Sequence, residues 1–149
     1  MKTSTAMLYA VLLLAAPTAM AWPDEATTPA TTISGGHWKA DAREGTYRVV
    51  VESVGFEHVS CRVWIEWMSL PEPGQPARVA ARVPFAEVST GFWSCDPGGK
   101  AIALTNNAPT HSMLINSTLT IDTTHTYSRE ARTFEAVLGA PGEYRMVGQ

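Results

Sequence analysis

Cysteine is scarce in this 149-residue chain: only Cys61 and Cys95 occur. Neither has a second cysteine at redox spacing, nor a neighbouring His and Asn pattern that would activate a thiol. A nucleophilic or dithiol role is therefore not indicated. Basic clusters are also missing: Lys and Arg are scattered and the formal charge is −3. A surface of that kind lacks the array of phosphate contacts that nucleic-acid binding requires, so no nucleic-acid partner is expected.

Apolar runs of membrane-spanning length are absent as well. The one long apolar stretch, Ala6 to Ala16, follows Lys2 and falls short of the roughly 20 residues that a spanning helix needs. Pro17 closes it, and Ala19-Met20-Ala21 puts small residues where a signal peptidase reads. Residues 1–21 therefore read as a secretory signal peptide cleaved after Ala21. No cysteine stands near that point to take a lipid and no twin-arginine pair precedes the run, so a secreted or periplasmic product with no membrane anchor is expected.

The roughly 128 residues that remain suit a single domain with one hydrophobic core. In an oxidising compartment the two cysteines predict one internal disulfide, Cys61–Cys95. Residues 22–44 are rich in Thr, Pro, Ala and Ser and include Ser34-Gly35-Gly36, which reads as a flexible leader. From Gly45 the pattern alternates. Tyr47, Val49 and Val51 share one face of a strand, and Val59, Cys61, Val63, Ile65 and Trp67 share one face of a second. Gly55 between them predicts a hairpin.

Val79, Ala81, Val83 and Phe85 mark a third strand, and Pro84 inside it predicts a sheet edge or a bulge. Ala101–Thr105, then Met113–Ile121 with Ser117 the one polar member of its inward row, then Phe134–Leu138 and Tyr144–Val147 complete about seven strands. Short alternating segments between Gly and Pro turns, with no helical period, predict an all-β antiparallel β-sandwich over residues 45–149, immunoglobulin-like or jelly-roll-like.

Catalytic and cofactor motifs are missing from the sequence. The Gly-x-Ser-x-Gly elbow and the helical His pair of zinc proteases do not occur, so no catalytic residue, metal or cofactor is assigned. Ser94 beside Trp93 and Cys95 reads as a turn residue. Glu52, Glu57, Glu66 and Glu87 supply carboxylates with no spacing that pairs them. A small secreted hydrolase or metal-dependent enzyme built on Glu57, His58, Asp122 and His125 is the alternative reading. Asn116-Ser117-Thr118 matches a glycosylation sequon and predicts an outward Asn116.

What rises above background is aromatic. Alternation turns Trp64 outward between Arg62 and Glu66, and Phe92-Trp93 sits beside Gly91 in a loop. Arg62, Trp64, Phe92 and Trp93 are thus the candidate binding residues, because large aromatics and Arg dominate binding surfaces. The competing reading packs Trp64 beneath a loop or the leader and makes Trp93 a cap on the disulfide. The function this suggests is a secreted or periplasmic binding module for a protein or glycan of the cell envelope. A third possibility is an accessory subunit that pairs with another protein through the Pro84 strand.

Overall fold

A computed structural model describes residues 30–55, 60–95, 102–107 and 115–148. The signal segment 1–21 and the first part of the expected leader, 22–29, lie outside the described residues, as do Glu57, His58 and His111.

Two antiparallel sheets face each other. The first is a meander of β1 (Ala30–Ala40), β2 (Arg43–Val54), β3 (Ser60–Ser69) and β4 (Val79–Pro84). One helical turn, α1 (Ala86–Ser89), leads to the second sheet, made of β5 (Trp93–Cys95), β6 (Ile102–Asn106), β7 (Ser117–His125), β8 (Ala131–Leu138) and β9 (Tyr144–Met146). Its order is β5-β7-β8-β9, and β6 also pairs with β7. β5 meets β7 at residues 123–125 and β6 meets it at 117–121, so the two short strands lie end to end along one side of β7.

The all-β sandwich therefore stands, with nine strands among the described residues rather than about seven. Burial follows the pleat. Tyr47, Val49 and Val51 of β2, Cys61, Val63, Ile65 and Trp67 of β3, Leu119 and Ile121 of β7, and Phe134, Ala136 and Leu138 of β8 form the core between the sheets. Polar tips inside this core find backbone partners. The Tyr47 hydroxyl donates to the Leu138 carbonyl at 3.1 Å, and Trp67 Nε1 donates to the Gly139 carbonyl at 3.0 Å, so side chains of the first sheet saturate the end of β8 in the second. Cys61 and Cys95 form the expected disulfide, which links β3 to β5 across the layers. Such a bond is compatible with an extracellular or periplasmic setting.

The flexible leader needs correction. From Ala30 the chain is strand β1, paired with β2 from Ala30↔Glu52 to Ala40↔Arg43, and Trp38 is 1% exposed. A register shift between Gly35 and Trp38 inserts an extra residue. Inward positions consequently run through Thr31, Ile33 and Gly35, then switch parity to Trp38 and Ala40, which hides the period of two from a reading in sequence. Gly36 makes the bulge possible. Its φ is +65°, and a Cβ there would lie 2.7 Å from Ser117 Oγ. Beyond the bulge Lys39 and Ile115 exchange backbone bonds of 2.9 and 3.2 Å, so β1 reaches over to the second sheet.

β4 is the free margin of the first sheet, with a register shift opposite Trp67 and Met68. Both features expected of the Pro84 strand are present. The Phe85 amide bonds Val63 O at 2.8 Å, so by alternation Pro84 occupies a position whose backbone faces away from β3. Across the layers, the Tyr144 hydroxyl donates to Glu87 Oε2 at 2.8 Å and ties β9 to the turn after β4.

Candidate functional site

The four candidate binding residues fall in two places. Arg62 and Trp64 stand on the outer face of β3, as the alternation predicts. Trp64 is half-buried: the Arg82 guanidinium lies 4.5 Å from its ring centroid and its Nε1 donates to Glu52 Oε2 at 3.4 Å. Beside it Glu66, although on the outward face, is only 3% exposed, because Arg48 and Arg82 (3.6 Å) close over its carboxylate. Charged side chains have roofed this part of the sheet, and they engage one face of the indole.

Phe92 and Trp93 lie at one end of the second sheet. Trp93 shares the inward parity of Cys95 and packs edge-on against Phe134, at 5.2 Å between centroids, and against His125 at 5.1 Å. Its ring also folds over Gly91, where a Cβ would come within 2.4 Å of it, so this approach depends on glycine. Trp93 thus supports the margin of the core, whereas Trp64 points away from the sandwich. Phe92, one position earlier, is 56% exposed.

Pairing of β5 with β7 then brings in residues that the sequence reading did not group with it. Trp93 is in register with His125, and the Thr126 amide donates to Phe92 O at 2.7 Å. Tyr127, also 56% exposed, stands 5.2 Å from Phe92 with the ring planes at 79°. His125 stands beside both, 6.4 Å from Phe92 and 6.1 Å from Tyr127. Its Nδ1 accepts from the Ser128 amide at 3.1 Å, which fixes the ring above the β7–β8 turn. Arg132 of β8 reaches over the same bed, 4.8 Å from Phe134 and 5.9 Å from Trp93. Tyr127 was missed because nothing in the linear sequence links it to Phe92; only strand register does.

The residues of the enzymatic alternative do not converge in the described part. Asp122 is exposed on the outer face of β7, where its Oδ1 accepts from Thr133 Oγ1 at 2.6 Å, and His125 has the opposite parity. Among the described residues no group of three His, Cys, Asp or Glu could hold a metal ion. The carboxylates are engaged separately, Glu52 with Trp64, Glu66 with two arginines and Glu87 with Tyr144. Ser94 pairs with Thr124 within the β5–β7 ladder.

Asn116 is half-buried and its Oδ1 accepts from Asn107 Nδ2 at 2.8 Å. It borders an open groove of about 630 Å³ between β4 and the turn before β9, lined also by Val83, Val137 and Arg145. Burial pushes the ionisation of Tyr47 well above the usual phenol range. Tyr144 is raised too, by burial first and then by its bond to Glu87. Both hydroxyls are hydrogen-bonded within the fold. No helix among the described residues is long and apolar enough to cross a membrane. Compared with protein-family models, curated protein sequences and solved structures, the chain matches none.

Proposed function

We propose that this chain is a secreted or periplasmic binding module, which engages a protein or a glycan of the cell envelope through the aromatic end of its second sheet. The observation that carries this reading is the adjacency of Phe92 and Tyr127, two large rings left more than half exposed at 5.2 Å from each other. Full burial of one such ring is worth roughly 1.5–3 kcal/mol. A partner that covers both draws on that free energy, and Trp93 and His125 beneath them keep the rings in place at small entropic cost.

Arg62 and Trp64 form a lesser contact in this scheme, since Arg82 already stacks on the indole. β4 is a poor site for strand addition: it is six residues long and carries Arg82 and Pro84. The rival enzymatic reading draws no support from Asp122 and His125, which have opposite parity on β7.

The test compares the wild-type chain with a Phe92→Ala/Tyr127→Ala variant, each immobilised and exposed to an envelope extract and to a glycan array. Specific retention should vanish in the variant while its thermal midpoint stays within a few degrees. Retention that is identical in the two proteins removes the reading.

A further inference from the structure

Two observations beyond the aromatic pair set the β7–β8 turn apart. Arg129 adopts φ 61°, the left-handed region that glycine occupies without strain, and its amide bonds His125 O at 3.0 Å to close the turn. Glycine would make the same turn more easily, so this position holds an exposed cation at the expense of local strain. Arg132, three residues on, stacks its guanidinium over Phe134 and Trp93. Among the described residues it makes no ion pair, and its in-plane N–H donors find no acceptor. Stacking uses the face of a guanidinium and leaves its edge for a carboxylate. The exposed Glu130 of the same turn forms no ion pair with either arginine among the described residues.

We infer that this end of the molecule recognises an acidic peptide segment that carries one aromatic or large aliphatic anchor. The inference rests on the binding-module reading and selects a protein over a glycan. Phe92 and Tyr127 meet at 79°. They form a corner, which fits an inserted side chain better than it fits the flat face of a sugar ring. A carboxylate beside the anchor pairs with the edge of Arg132, and Arg129 attracts a second. The chain as a whole carries a formal charge of −3 and so does not attract anions through its net charge. Preference for an acidic ligand is therefore a property of the turn and not of the whole surface.

The experiment uses the full chain and three fluorescent peptides of equal length: Phe flanked by Asp and Glu, Phe flanked by Lys, and the acidic peptide with Ala in place of Phe. Anisotropy should show the acidic Phe peptide binding about tenfold more tightly than the other two, a preference that fades as salt rises. Arg132→Gln should lower its affinity by about tenfold, the scale of a lost charge-assisted hydrogen bond. Arg129→Gly should weaken binding several-fold and at the same time raise the thermal midpoint, a combination that a purely structural arginine does not give. Equal affinity for the acidic and Lys peptides, no measurable binding of the acidic Phe peptide, or indifference to Arg132→Gln overturns the inference. Binding that disappears in Phe92→Ala/Tyr127→Ala but ignores peptide charge leaves the binding-module reading in place and removes the acidic partner alone.

Discussion

The Ser117 hydroxyl, fully buried on β7, accepts a hydrogen bond from the His37 amide of β1 at 3.1 Å and lies 3.0 Å from Asn106 Oδ1, to which it donates. An amide stranded at the β1 bulge is thereby satisfied by the opposite sheet. Removing the hydroxyl strands that amide in the interior. Ser117→Ala should lower the unfolding free energy by about 1–3 kcal/mol, the desolvation penalty of one unpaired buried donor, measured by urea titration. No change in the urea midpoint would show that water takes over the bond.

Phe92 and Trp93 are neighbours in sequence with opposite duties. Trp93→Ala removes a half-buried ring that touches Phe134 and His125 and should destabilise the fold by about 2–3 kcal/mol, somewhat below the figure for a fully buried Trp. Phe92→Ala should stay within about 0.5 kcal/mol of wild type, as exposed substitutions do. Thermal unfolding of the two single variants separates them, and the reverse ranking would contradict the placement of both rings.

Reduction of Cys61–Cys95 frees a loop with a sequence separation of 34. The chain-entropy argument assigns its closure roughly 3–4 kcal/mol. Urea unfolding of the oxidised protein, the reduced protein and a Cys61→Ala/Cys95→Ala variant should show losses of that order in the latter two. Coincident curves would mean that the β3–β5 contact holds without the bond.

Tyr47 is buried with its hydroxyl on Leu138 O, and its ionisation is raised above the ordinary value near 10. Its folded-state pKa exceeds the unfolded one, so its contribution is fully present below about pH 10 and is lost as pH rises beyond that, when only the unfolded chain can ionise freely. Stability should fall with increasing pH above about 10. Tyr47→Phe should flatten that fall, at a cost of about 1 kcal/mol at neutral pH from the lost bond. An unchanged alkaline slope in the variant assigns the loss to other groups.

Strands with an unbroken period were legible from the residues alone. β2 and β3 show why: Tyr47 to Val51 and Cys61 to Trp67 keep one parity throughout, and both rows are buried. β1 escaped because the irregularity between Gly35 and Trp38 changes parity in a stretch whose Thr and Ser content resembles a tether. β5 is three residues long and offers too little sequence to alternate. Half of the candidate site was visible for the same reason. Phe92 announces itself beside a glycine, but Tyr127 joins it only through the Trp93↔His125 register, a long-range pairing that no local pattern encodes. Outwardness alone also overstated Trp64, since alternation fixes the direction of a side chain and is silent on a neighbour such as Arg82 stacking upon it.

Pro84 has a consequence for how copies of this domain can meet. At the outer margin of β4 a pyrrolidine ring stands where an amide hydrogen would otherwise be offered to a stranger, and the Arg82 cation stands two residues away. A second molecule approaching that flank finds the zipper jammed after very few teeth. At this boundary the backbone itself disfavours sheet-to-sheet fusion between molecules.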